Sequence, residues 1–126
     1  MSNKITDRIK TMEDVWKELN LDPKTVLPFA DSNDPDLKAV NATTCLIYLY
    51  KALNEGWTPD WNNSMQYKYW PWFEMTGSGL AFFGADYHCS ASDVSSRLCL
   101  RSRELVEHAV KHFMNLYEDL FLIKTK

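Results

Sequence analysis

The sequence predicts one α+β domain: two N-terminal helices, a small antiparallel meander of about three strands, and a long C-terminal helix packed on it. Two apolar patterns carry this prediction. A helical repeat occurs before Asn54 and again after Ser102, and a strand-like alternation begins at Gln66. The chain has 126 residues, 45% of them hydrophobic and 25% charged. A domain of this size buries about two-thirds of its unfolded surface.

The N-terminal region is predicted to contain a polar, flexible segment over residues 1–10, with the folded domain spanning residues 11–126. Thr11 is a suitable helix cap, because Asp14 follows three residues later in a capping-box arrangement. The apolar face of this first helix includes Val15 and Trp16. Pro23 ends the helical pattern, and residues 24–33 are predicted to form a loop.

The second helix has the clearest start in the chain. Asp34 provides a capping carboxylate and Pro35 occupies the first helical position. The pattern continues to about Asn54, and Gly56 provides the stop. The second half of this helix is apolar on nearly every side, so we expect it to lie at the centre of the fold with Cys45 buried.

The strands are predicted from alternation and turn residues. From Gln66 onward, one strand face carries the aromatic and apolar side chains Tyr67, Tyr69, Phe73 and Met75, and the other carries Lys68, Trp70, Trp72 and Glu74. Pro71 cannot donate to a strand ladder, which favours an edge strand or a break there. A turn at residues 76–79, a second strand from Leu80 towards Cys89, a polar loop at 90–93 and a third strand at 96–100 complete the meander.

The last helix begins after Ser102, a capping residue, and has Glu104 in its first turn. Its repeating apolar stripe, from Val106 to Phe121, indicates one long buried face. Helices therefore flank a small sheet, which is the basis for the α+β assignment.

Charge and cysteine content restrict the functional classes. The net charge is −3, without a basic arm or an acidic tail, so strong non-specific binding of nucleic acid is not expected. Cys45, Cys89 and Cys99 match no disulfide or metal-ribbon spacing. The chain shows no secretory signal and no run of membrane-spanning length, which favours a reduced, cytoplasmic setting and no membrane partner.

Two segments carry a resemblance to a known family. Residues 51–75 read KALNEGWTPDWNNSMQYKYWPWFEM, and residues 96–113 read SRLCLRSRELVEHAVKHF. Together they resemble a group of short, uncharacterised proteins of phages and integrated mobile elements of gut bacteria, over roughly residues 12 to 121. This chain has YWPWF in place of YYPWF, and Ser95 in place of a glycine. The resemblance implies phage or prophage origin, in the bacterial host cytoplasm, and no particular activity.

The tryptophan-rich stretch is the leading candidate for a binding surface. Four of the five tryptophans lie within it: Trp57, Trp61, Trp70 and Trp72. Large aromatic residues are most often core, but rings on both faces of a thin sheet cannot all be buried on one side. An exposed patch of Trp70 and Trp72 is typical of a partner surface. The first hypothesis is therefore a protein partner or homo-oligomer, bound by the aromatic strand and the turn 57–61.

Single-stranded nucleic acid is the second hypothesis. It requires cations beside the stacking rings, and the candidates are Lys68, Arg97, Arg101 and Arg103. Arg101 and Arg103 flank a predicted helix start, where free backbone N–H groups favour an anion. The alternative, which the sequence favours, is that these arginines pair with nearby acidic side chains.

An enzyme is the third hypothesis, and no catalytic residue, cofactor or metal ligand is predicted. His108 and His112 share a helix face at zinc-ligand spacing, but no HExxH glutamate accompanies them. Cys89 and Cys99 could each meet a histidine in space, but a reactive thiol needs a setting that stabilises the thiolate, which the sequence does not show. The chain has neither a GxSxG motif nor a phosphate-binding glycine loop. We therefore expect a binding protein without chemistry of its own.

Overall fold

A computed structural model describes residues 4–77, 79–90 and 94–123 of the chain. The first three and last three residues, Ser78 of the predicted turn and residues 91–93 of the predicted polar loop lie outside this description. The described part is α+β, as the sequence predicts. None of its helices combines the length and apolar character needed to cross a bilayer.

Four helices precede the sheet, where the sequence predicts two. They are α1 (Ile5–Arg8), α2 (Met12–Leu19), α3 (Pro23–Val26) and α4 (Pro35–Asn54). The capping box of α2 is confirmed: Thr11 Oγ1 accepts from the Asp14 N–H, and the Asp14 carboxylate accepts from the Thr11 N–H. The short α3, in the predicted loop, starts at an Asp–Pro pair, and Asp22 accepts from the Lys24 N–H.

The described part of the N-terminal segment, residues 4–10, contributes two side chains to the core. Ile5 and Ile9 are both buried, the second completely. Ile5 and Ile9 have the i, i+4 spacing of one helix face, but two apolar residues in a polar stretch are too few to predict a buried face, so their burial depends on contact with the rest of the fold. That contact includes α1 against α4.

Helix α4 has the predicted bounds and central position. Asp34 Oδ1 accepts from the Asp36 N–H, and Glu55 ends the helix in the left-handed conformation, just before Gly56. Its second half is buried in the main hydrophobic cluster, and Cys45 is part of it. The prediction of a helix enclosed on several sides is confirmed, since α1, α2 and α5 (Arg103–Phe121) all contact it.

Within the described residues the sheet has two strands, so the predicted meander of about three strands is wrong. Strand β1 (Lys68–Thr76) pairs antiparallel with β2 (Gly79–His88), with a bulge between Trp72 and Phe73. The predicted third strand is a 3₁₀ turn at Ser96–Leu98, followed by a single bridge between Tyr69 and Leu100. Ser95, at φ 69° and ψ −178°, interrupts the extended backbone that a strand requires.

Helix α5 connects the helical layer to the hairpin. Ser102 Oγ accepts from the Leu105 N–H, which confirms the predicted cap. The buried stripe contacts α4 on one side, where the Tyr50 and Tyr117 hydroxyls are 2.6 Å apart, and both strands on the other. Burial raises the pKa of both hydroxyls above the usual tyrosine range. One face of the hairpin is therefore covered by α5.

Candidate binding surface

Lys68 is completely buried, although the sequence marks it as a candidate ligand-binding cation. Its ammonium donates to three backbone carbonyls: Asn63 at 3.1 Å, Gln66 at 2.9 Å and Cys89 at 2.6 Å. The Nζ atom also lies 5.0 Å from the centre of the Trp61 ring. All three donors are in use, so Lys68 holds the 58–66 loop against the sheet and does not reach solvent.

Trp70 is also buried, at 4% exposure. The expectation that Trp70 and Trp72 form one exposed patch is therefore wrong for Trp70. Both lie on the sheet face away from α5, and Trp70 is not part of the main core cluster. The loop that covers neighbouring Lys68 on this face is irregular, and no periodic pattern marks it as a cover. Alternation assigns a side chain to one face of a strand and does not predict what covers that face, so it did not predict the burial of Trp70.

Trp61 and Trp57 occupy different places in the same loop. The Trp61 indole Nε1 donates to Ser96 Oγ at 2.7 Å, which joins the loop to the 3₁₀ turn. Trp57 follows α4, where its N–H donates to the Asn54 carbonyl at 2.9 Å, and its ring lines a cavity of about 490 Å³ with Arg97. The turn 57–61 thus contributes one residue to a structural contact and one to an open cavity.

Arg101 is paired with an acidic side chain, as predicted by the alternative hypothesis that these arginines form ion pairs within the protein. Its guanidinium contacts Glu55 at 2.8 Å, and Arg8 joins Glu55 to Glu18 in the same network. The Arg101 backbone N–H donates to Asn54 Oδ1 at 3.0 Å. Arg101 is therefore engaged by Glu55 and is not an unpaired cation for the anion site predicted at residues 101–103.

Arg103 lies over aromatic rings. Its guanidinium carbon is 5.8 Å from the centre of the Tyr69 ring and 6.0 Å from that of Tyr87. Tyr67 completes a cluster in which the three rings lie 5.1 to 6.3 Å apart. Tyr67 and Tyr87 are both about half exposed. A guanidinium beside exposed rings is a feature that binding surfaces use.

The hairpin divides into a covered half and an open half. The covered half comprises residues 68–71 with 85–88, and the open half comprises residues 72–76 with 79–84. Trp72 in the open half is 48% exposed and Phe83, opposite the bulge, is 69% exposed. Further exposed apolar side chains at this end of the hairpin or beside it are Met75, Phe82 and Phe121.

Phe82, Phe83 and Phe121 are exposed residues that were not predicted from the sequence. The signal for the first two was present, because adjacent phenylalanines in LAFFG cannot both point to one sheet face. The bulge at Trp72 and Phe73 leaves Phe83 without a partner in the register. Phe121 lies in an apolar helical stripe, and only the end of the hairpin determines that it remains 40% exposed.

The outer edge of β2 has no strand partner among the residues that the structure describes. The backbone N–H and C=O of Tyr69 both bond to Leu100, so Tyr69 and the β2 residue opposite it, Tyr87, form a non-hydrogen-bonded pair of the hairpin. The N–H of Tyr87 therefore points outward, away from β1. Asp86 Oδ1 accepts from that N–H at 2.9 Å. The backbone nitrogen of Pro71, two residues from Tyr69, also points away from β2. The missing N–H of Pro71 therefore removes no hydrogen bond between β1 and β2. Both strands are edges, and β2 is the less protected.

The eight predicted binding residues therefore separate into four places. Trp61, Lys68 and Trp70 belong to the covered half and its loop. Trp57 and Arg97 line one cavity, and Trp72 and Arg103 line another, of about 450 Å³, beside β2. Arg101 lies in the ion-pair network. The aromatic strand and the turn 57–61 do not form one surface.

The histidines and cysteines are the side chains that could serve a metal site or a nucleophilic reaction. Within the described residues, no group of three or more His, Cys, Asp or Glu is placed to hold a metal ion. A His108 ring nitrogen contacts the Ile9 carbonyl, and burial lowers the pKa of His112, with the charge of His108 adding to the effect. Burial raises the pKa of Cys45 and of Cys99 to about 11, which keeps both thiols protonated at neutral pH.

Comparison with known proteins adds no assignment. None of the family models, curated proteins or solved structures compared with this chain matches it.

Proposed function

We propose that this protein acts by binding, without chemistry of its own, and that the open half of the hairpin is the binding surface. The observation that carries the proposal is the combination of an unpaired β2 edge with exposed rings on both faces of the same end. Exposed apolar side chains grouped in this way are typical of partner surfaces. An edge strand recruits another strand through its free N–H and C=O groups.

The occupant that best fits this surface is a second copy of the chain. β2 reads GLAFFGADYH and contains no Lys, Arg or Pro, the residues with which edge strands avoid pairing with other strands. β1 has both Lys68 and Pro71. Asp86 and Arg103 line the same cavity beside β2, so in a twofold arrangement each copy would present both charges next to the edge at which the two copies pair. Antiparallel pairing of two β2 strands would form one four-stranded sheet.

Sedimentation velocity over a range of protein concentrations tests the proposal. The wild-type chain is expected to form a concentration-dependent dimer, and Phe83→Lys is expected to shift it to monomer, because a charge replaces an exposed ring at the contact. Val40→Lys is the matched control, since Val40 is 43% exposed on α4, away from the hairpin. A wild-type chain that stays monomeric up to about 0.5 mM, a weak-binding limit, contradicts self-association.

Single-stranded nucleic acid is the second candidate, favoured by the tyrosine cluster under Arg103. Lys68 and Arg101 are engaged within the protein, which leaves Arg97 and Arg103 as the predicted cations able to meet phosphates. Two phosphate contacts give a slope of about −1.4 in log K against log salt for a single strand. Fluorescence titration with oligonucleotides at several salt concentrations, for wild type and Arg103→Gln, tests this. Absence of quenching contradicts it.

The proposal includes phage or prophage origin and a location in the bacterial cytoplasm. It is supported by the resemblance carried by residues 51–75 and 96–113. The backbone at Ser95 also supports it. The family pattern has a glycine at this position, and the φ of 69° and ψ of −178° lie in a region that glycine populates. Genes for phage structural or replication proteins on both sides of the coding sequence would be the expected genomic setting.

A further inference from the structure

A cavity of about 490 Å³ lies where the last turns of α4 meet the segment that follows it. Ile47, Trp57 and Pro59 provide its apolar surface, and Lys51 and Arg97 provide charge. The volume falls within the range of small-molecule sites, which combine apolar walls with a few polar groups. None of these residues belongs to the hairpin, so the cavity is separate from the surface proposed for self-association.

Among the described residues, the charged side chains that line this cavity are cationic. No acidic side chain lines it, and neither Lys51 nor Arg97 has a hydrogen-bond or ion-pair partner within residues 4–77, 79–90 and 94–123. Arg101, only four residues from Arg97, is paired with Glu55. The two cations at the cavity are therefore available to an anionic ligand.

The cavity walls are held by hydrogen bonds that a ligand does not need to supply. Asn54 Nδ2 donates to the Cys99 carbonyl at 3.0 Å and Asn54 Oδ1 accepts from the Arg101 N–H at 3.0 Å. Ser96 Oγ accepts from the Trp61 indole, so its own hydroxyl proton remains for a further acceptor. A preformed site of this kind reduces the ordering cost of binding.

We propose that this cavity binds a small molecule with a flat apolar ring and one anionic group, either a carboxylate or a phosphate. Trp57 contacts the ring, and Arg97 binds the anion. The C-terminal end of α4 carries about half a negative charge, which Lys51, in the last turn, offsets. The positive charge of Arg97 is not offset in this way, so we expect Arg97 to contribute more to the affinity for an anion than Lys51 does.

The test follows the Trp57 indole N–H resonance in ¹⁵N-labelled protein, assigned with Trp57→Phe. The probes are 2-naphthoate, for a carboxylate, and AMP, for a phosphate. Their neutral counterparts are 2-naphthamide and adenosine. Performing the titrations on Phe83→Lys keeps self-association separate from ligand binding. We expect a saturable shift with at least one anionic probe, and the identity of that probe distinguishes carboxylate from phosphate.

Variants establish whether the cations account for the binding. Arg97→Gln is expected to weaken it about tenfold, through loss of a charge-assisted contact. Lys51→Gln is expected to weaken it about threefold, as for an exposed charge. Lys38→Gln, an exposed lysine elsewhere on α4, serves as the control and is expected to leave binding unchanged. Spectra that keep the wild-type dispersion show that the variants remain folded.

Three results overturn the proposal. The first is the absence of a saturable shift of the Trp57 resonance with either anion up to about 10 mM, which is beyond the millimolar range of weak ligands. The second is equal affinity for the anionic probes and their neutral counterparts. The third is an unchanged affinity in Arg97→Gln.

Discussion

The two halves of the hairpin share one pair of strands and differ in what covers them. In the covered half, Lys68 and Trp70 are 0% and 4% exposed, whereas Trp72, one side-chain repeat further on the same face, is 48% exposed. Alternation places all three on the face away from α5. Alternation alone therefore does not account for the difference. At Lys68, the 58–66 loop contributes the Asn63 and Gln66 carbonyls that accept from the ammonium.

The same contrast applies to backbone pairing. In the covered half, Tyr69 is joined to Leu100, and Asp86 accepts the outward N–H of Tyr87. Beyond the bulge at Trp72, neither strand has a further strand partner in the described chain. A strand pair in isolation is marginal, so the covered half stabilises the hairpin and the open half is left available for contact.

The largest test of this comparison replaces the two tryptophans in turn. Trp70→Ala is expected to lower the free energy of unfolding by about 3–5 kcal/mol, because it leaves a cavity in a packed region. Trp72→Ala is expected to cost about 1 kcal/mol or less, because half of its ring already meets water. Urea unfolding measures both. Equal losses in the two variants would contradict the division into covered and open halves.

The second test removes the buried ammonium. Lys68→Met retains the length of the side chain but leaves three carbonyls without their donor, so we expect a loss of about 2–4 kcal/mol in the free energy of unfolding. Lys38→Met, on the exposed surface of α4, is the matched control and is expected to change stability by about 0.5 kcal/mol or less. A small effect at Lys68 would mean that the loop is held by other contacts.

Asn54 provides a third test, at the link between α4 and the covered half. Its amide bonds the Cys99 carbonyl and the Arg101 N–H on either side of Leu100. Asn54→Leu leaves both backbone groups without a partner, and we expect a loss of about 2 kcal/mol by urea unfolding. Asn115→Leu, at an exposed position on α5, is the control. Similar values for the two variants would show that this link contributes little.

Ser95 provides a stabilising test. A side chain at φ 69° and ψ −178° is strained, so Ser95→Gly is expected to raise the free energy of unfolding by about 1 kcal/mol. Ser96→Gly, at the neighbouring position without positive φ, is expected to destabilise, and it also removes the acceptor of the Trp61 indole. A loss of stability in Ser95→Gly would contradict the strain at that position.

The finest test is amide hydrogen exchange along the strands of the monomeric Phe83→Lys variant. The Tyr69 and Leu100 N–H groups are expected to exchange slowly, since each donates to the other residue's carbonyl in the covered half. Amides of residues 74–76 and 80–82 are expected to exchange faster, because local opening there exposes little buried surface. Uniform protection along β1 would remove the distinction between the halves.

Local chemistry in the sequence was sufficient for most of the helices. The caps at Thr11, Asp34 and Ser102 and the bounds of α4 were predictable, because a capping side chain and the groups it bonds lie within a few residues of one another. The burial of Cys45 followed from an apolar run on several sides of one helix. These features depend on short sequence separations, which a single sequence records directly.

The binding surface depended on contacts between distant segments. Alternation placed Trp70 and Trp72 on one face correctly, but it did not predict that Trp70 is buried and Trp72 is exposed. It also did not predict the bulge that leaves the exposed Phe83 without a partner in the register. The pairing of Arg101 with Glu55 joins residues 46 positions apart.

The sequence by itself determined the α+β class, the long helices and the side-chain alternation of β1, because propensity and periodicity act locally. Tertiary structure alone decided which rings reach water and which cations remain unpaired. Exposure is set by whatever packs against a residue, and in this chain those partners are remote in sequence.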